Sequence, residues 1–117
     1  MNGNNFNLIE HHHFFQAIME PELIEKELIS SLSFNDKVEI KQHPELRSQI
    51  DKATILGNAH RSKVSIIFHD DSGLKRVDTT IWAAGTKFIC LKGGVWIPID
   101  RIQEVKIWSI VILGIQG

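Results

Sequence analysis

Three groups of residues in this chain have side chains that could do chemistry. His11-His12-His13 places three imidazoles in a row, and imidazole is the commonest metal ligand. On a helix, successive side chains point about 100° apart, so three adjacent rings cannot close on one ion. The spacing that works on a helix, His at i and i+4, is absent from the triplet. It reads as a polar or packing face of a helix, and no metal is expected. His69-Asp70-Asp71 sets an imidazole beside two carboxylates, the makings of a general base or a weak cation site. Ser72-Gly73 follows directly, and a tight hairpin needs Asp and Gly for its own geometry, so the structural reading is preferred. Cys90 stands between Ile89 and Leu91. A nucleophilic thiol needs an open, electropositive setting near a base, whereas this environment suits a small buried hydrophobe. His43 and His60 stand alone. There is no nucleophile motif, P-loop or dinucleotide fingerprint, and Gly93-Gly94 reads as a turn. No catalytic residue and no cofactor is therefore expected.

A fourth group suits binding rather than catalysis. Arg61, Lys63, Lys75, Arg76, Lys87 and Lys92 alternate along the chain with Trp82, Phe88 and Trp96. Cations interleaved with aromatic rings make up single-strand nucleic-acid surfaces, although exposed hairpins also carry lysines simply to protect their edges. Charge is distributed unevenly. Residues 1–51 carry nine acidic and four basic side chains, a net of −5, and residues 52–117 carry five acidic and nine basic, a net of +4. That split is modest, and an acidic front beside a basic back within one fold accounts for it.

The elements that must position these residues change character near residue 35. Asn7 and Glu10 have capping-box spacing. Leu8, Ile9, His12, Phe15, Ile18 and Met19 then recur at helical intervals. A second helix is predicted from Pro21, with Leu23, Ile24, Leu28, Ile29 and Leu32 as its apolar stripe. From Lys37 the period becomes 2. Lys37–Lys41 alternates, His43–Leu46 suggests a short helical turn or wide loop, and Ala53–Leu56 is read as a strand loosened by Gly57-Asn58. Strands are then predicted over 63–69, 74–84, 87–92 and 102–108, with Val95–Ile97 between them and a 3₁₀ turn at Pro98–Arg101.

Short strands joined by tight turns, with no intervening helices, mean an antiparallel sheet. Ile97-Pro98-Ile99-Asp100-Arg101-Ile102, followed by Val105 and Ile107, resembles the ending of small SH3-like and Sm-like β-barrels. The resemblance covers about residues 52–108 and concerns the fold alone. It implies an α+β, mostly β domain in which two N-terminal helices (residues 1–34) pack on a five- to six-stranded antiparallel barrel (residues 35–117). The whole is expected to be one compact domain.

Alternation sorts the strand side chains. Val77, Thr79, Ile81 and Ala83 are assigned inward, as are Val105 and Ile107, which turns Trp82, Trp96 and Trp108 outward. Three tryptophans on the polar phase need a reason. Cover by the two N-terminal helices is the preferred one, and an exposed anchor or stacking platform is the other. Beyond Lys106 no charge follows, and Trp108, Ile110 and Ile112 lie in an apolar tail suited to an edge strand or to a second copy of the chain.

Length and composition bound the rest. The chain has 117 residues, 43% hydrophobic and 23% charged, enough for one core. It has no run of about 18 apolar residues, no charged-then-apolar start and one cysteine. A cytoplasmic, non-enzymatic module is expected, acting through protein–protein contact or self-association, with a homodimer in view. Nucleic acid is the alternative partner, and no membrane is expected.

Overall fold

A computed structural model describes residues 20–108 of the chain. The first predicted helix (8–19) and the tail beyond Trp108, including Ile110 and Ile112, lie outside the described residues.

Leu46, Ile50, Ala53 and Gly57 are buried at intervals of four, three and four residues along a 15-residue α-helix, α1 (Leu46–His60). This corrects the predicted strand over 53–56. Thr54 and Ile55 suggested β-structure, but the stripe that matters has helical spacing. The helix ends where Arg61 takes a left-handed conformation (φ 54°) and donates its N–H to the Gly57 carbonyl. Gly57 itself lies against the next layer. A Cβ there would come within 2.3 Å of the Ile81 carbonyl oxygen, so only glycine permits this approach.

Among the described residues seven strands follow the chain order β1 (Glu22–Leu23), β2 (Val64–Asp70), β3 (Gly73–Thr79), β4 (Ile81–Ala84), β5 (Phe88–Leu91), β6 (Val95–Pro98) and β7 (Ile102–Ile107). They form two sheets, one ordered β1-β3-β2-β7 and the other β4-β5-β6. The predicted closed barrel is thereby overturned, because among the described residues neither sheet closes on itself. Antiparallel pairing does hold for β2–β3, β2–β7, β4–β5 and β5–β6, while β1 lies parallel to β3.

The long strand predicted over 74–84 is broken at Thr80. Thr80 is buried. Its hydroxyl donates to the Arg61 carbonyl (3.3 Å), and its own carbonyl accepts from the Lys92 N–H (2.9 Å). The break lets the first half pair in one sheet and the second half in the other. Between the two sheets, Val64, Ile66, Phe68 and Val77 meet Ile81, Ile89, Leu91 and Ile97, and α1 closes one side with Leu46, Ile50 and Ala53. Each such aliphatic side chain contributes about 1.5–3 kcal/mol on burial.

The predicted second helix over 21–34 is absent as well. That stretch holds β1 and a 3₁₀ helix, Lys26–Ser31. Its proposed stripe is not used as a stripe: Leu23 and Leu28 are 60% and 53% exposed, while Ile29 alone is fully buried. The edge of β3 recruits the backbone instead, with Glu22 opposite Lys75 and the Ile24 N–H on the Arg76 carbonyl (2.9 Å). An open sheet edge outcompeted a weak helical preference. Residues 37–41, predicted to alternate as a strand, are irregular, with Val38 exposed. The 3₁₀ turn before the last strand is present as Ile99–Arg101.

Candidate interaction face

On β5 the alternation is clean: Ile89 and Leu91 point into the core, while Phe88 and Cys90 take the other face. Cys90 pairs across the ladder with Trp96 on one side and Ala83 on the other. On β4 the register slips between Ile81 and Ala83. This bulge leaves both Trp82 and Ala83 exposed, while Ile81 and Ala84 pack on the core. Extra residues at bulges re-aim side chains in this way. Ala83, assigned inward from simple alternation, is therefore on the outer face.

The outer side of the three-stranded sheet thus carries Trp82 (46% exposed), Phe88 (45%) and Trp96 (56%), with half-buried Cys90 among them. Phe88 and Trp96 meet edge to face, with centroids 6.4 Å apart and planes at 88°, a favourable quadrupole arrangement. Asn58 at the end of α1 donates to the Trp82 carbonyl (3.2 Å), which ties the bulge to the helix. The expected cover does not come from residues 21–34, which form a two-residue strand and a short 3₁₀ helix and leave the three rings about half exposed. Phe88 was grouped with Trp82 and Trp96 in the sequence, whereas Cys90, read there as a small buried hydrophobe, is half-buried and turned to this outer face. The strict alternation of residues 88–91 was the signal that could have placed Cys90 there.

The basic candidates do not assemble beside it. Lys75 is buried on the other sheet, with its ammonium on Asp70 (3.1 Å), the Ser72 hydroxyl (3.0 Å) and Glu22 (3.6 Å). Arg76 is spent on Asp78 through two hydrogen bonds, Nε at 2.9 Å and Nη2 at 2.8 Å. Burial alone would raise the Asp78 carboxyl, but the Arg76 and Ser65 hydrogen bonds outweigh it and hold it below its ordinary value. Arg61 caps α1 and Lys63 precedes β2. Lys87 and Lys92 flank β5 at its two ends, both exposed, and Lys92 is in phase with Phe88 and Cys90. Trp108 is on the four-stranded sheet, where its indole N–H donates to the Ser65 hydroxyl (2.8 Å), which itself donates to Asp78 (2.8 Å).

His69-Asp70-Asp71 proves to be a clamp. Asp70 is buried, and burial pushes its carboxyl up. Hydrogen bonds from Lys75 and Ser72 more than reverse this and leave it below its ordinary value. Asp71 is lowered by Arg101, with help from the Asn35 and Asp36 N–H groups. Arg101 is only 4% exposed. It donates to Asp71 (2.8 Å), the His69 carbonyl (3.1 Å) and the Asp36 carbonyl, and its guanidinium lies 5.6 Å from the Phe34 ring centroid. His69 itself shares a hydrogen bond with Gln103 (2.9 Å). Ser72 and Lys75 look like a nucleophile and its base, but an ammonium held by two carboxylates has no lone pair to lend. Asp71 and Arg101 are committed to holding residues 33–36 on the hairpin, while Asp70 and Lys75 are committed to the turn itself and to Glu22.

Among the described residues no group of three or more His, Cys, Asp or Glu is placed to hold a metal ion, and no helix is long and apolar enough to cross a membrane. Compared with models of known protein families, with curated proteins and with solved structures, the chain matches none.

Proposed function

We propose that this protein is a non-enzymatic interaction module, and that the outer face of the three-stranded sheet docks a protein partner. The observation that supports this reading is the exposure of Trp82, Phe88 and Trp96 on one face. Large aromatic rings are the side chains that dominate partner binding, and they are costly to leave in water. The setting we propose is the cytoplasm, where the single Cys90 on this face stays a thiol.

A photo-reactive residue at Ala83, which is exposed within the face, tests the proposal in cells. The expected result is a cross-link to another protein that disappears in the Trp96→Ala and Phe88→Ala variants. A cross-link indifferent to both substitutions would reject the face as the docking surface. Single-stranded nucleic acid is the second reading, favoured by stackable rings beside Lys92. It predicts oligonucleotide binding at low salt that weakens steeply as salt rises. Loss of Lys75 would leave that binding unchanged, because Lys75 is buried in an ion pair.

A further inference from the structure

β5 is the central strand of its sheet, with β4 on one side and β6 on the other. Lysines that guard an open strand edge belong on edge strands, so that role does not explain Lys87 and Lys92 at the two ends of β5. Both are exposed, and among the described residues neither forms an ion pair. Residues 79–99 include no Asp or Glu, so none of the three strands or their turns supplies a carboxylate. Two acidic neighbours are already occupied. Asp51 pairs with Arg47 beside Gly85 (3.1 Å), and Glu27 pairs with Lys26 beside Gly93 (3.1 Å). Asp100 follows β6 in the 3₁₀ turn, outside the sheet.

Five residues of extended chain separate the two lysines by about 17 Å. Between them the face is uncharged, with Phe88 and Cys90 on β5, Trp96 across the ladder and Trp82 at the bulge. A single nucleic-acid strand carries a phosphate on every nucleotide and needs cations that track its backbone. The middle of this face has none, and Lys75 and Arg76 are bound to carboxylates on the other sheet. A protein segment can place carboxylates at its two ends alone and apolar side chains between them. A second copy of this face would bring the same two lysines and no carboxylate, setting like charge against like.

We infer that the partner of this face is an acidic protein segment, with apolar side chains over Trp82, Phe88 and Trp96 and carboxylates on both flanks that meet Lys87 and Lys92. The inference rests on the docking proposal above and adds the partner's chemistry to it. Rim charges act chiefly on the association rate and on its salt dependence, while buried rings hold the complex together. Reversing the lysines and truncating a ring therefore leave different kinetic signatures.

The photo-reactive residue at Ala83 captures the partner in cells, and mass spectrometry of the cross-linked peptide reads the composition of the docked segment. An apolar stretch with Asp or Glu on both sides is expected. That segment is then synthesised and its binding to the purified full chain followed by stopped-flow fluorescence, with circular dichroism confirming that each variant is folded. Lys87→Glu combined with Lys92→Glu is expected to slow association, to remove its salt dependence and to weaken binding about tenfold or more at low salt. Lys87→Arg with Lys92→Arg stays within about twofold of wild type, and Trp96→Ala speeds dissociation. A segment whose flanking carboxylates are replaced by lysines is expected to bind the doubly reversed variant and not the wild type. A captured segment with neutral or basic flanks, or an affinity indifferent to the reversed lysines, would overturn the inference and leave the face as a docking surface. Capture of nucleic acid in place of protein, a cross-link that Trp96→Ala leaves untouched, or no capture at all would remove the docking proposal and the inference with it.

Discussion

The clamp at the β2–β3 turn and the outer face of the three-stranded sheet are opposites. At the clamp, Asp70, Asp71, Lys75 and Arg101 are charged residues of the kinds that catalyse, and every one is occupied within the chain. On the sheet face, Trp82, Phe88 and Trp96 carry no charge, yet they remain turned to solvent. Residue type points to the first region as the functional one, whereas occupancy points to the second. Buried charges persist in a fold only when partnered, so a fully satisfied polar cluster signals structure. Exposed rings carry no such internal obligation.

The largest expected effect falls on the clamp. Arg101→Met leaves the His69 and Asp36 carbonyls and Asp71 without their donor, and is expected to lower Tm by about 10 °C or more. A melt within a few degrees of wild type would break the contrast between the two regions. Next comes Gly57→Ala, which drives a Cβ against the Ile81 backbone. A loss of about 1–3 kcal/mol in urea unfolding is expected, because the blocking atom is main chain and cannot swing aside.

Acid titration should separate the regions further. Asp70, Asp71 and Asp78 are all held below their ordinary value of 3.8 in the folded chain. The stability they contribute is complete above that value and is lost progressively as pH falls below it toward the depressed folded values. Unfolding free energy measured against pH should therefore drop below about pH 4. In Asp71→Asn that drop should be shallower. An unchanged acid limb would remove Asp71 from the clamp.

The smallest stability effect is expected on the face. Trp96→Ala should change stability by about 0.5 kcal/mol or less, as surface substitutions usually do, while abolishing the Ala83 cross-link. A loss of several kcal/mol would make Trp96 a packing residue and weaken the docking proposal.

Residue order alone determined the strands at 63–69, 87–92 and 102–108, the 3₁₀ turn before β7 and the outward phase of Trp82 and Trp96. Period-2 patterns bounded by Asp-Gly and Gly-Gly turns are local, and local chemistry suffices to read them. Three other features were settled by distant partners. The open edge of β3 turned residues 22–23 into a strand in place of a helix. Burial of Leu46, Ile50 and Ala53 against β-strands selected a helix where Thr54-Ile55 suggested extended chain. Thr80, held by Arg61 and Lys92, split one long strand between two sheets. Whether a carboxylate was a catalyst or a clamp also lay beyond the sequence, because Arg101 stands 30 residues from Asp71 along the chain. A side chain's type is local, but its occupancy depends on which remote partner the fold brings within about 3 Å.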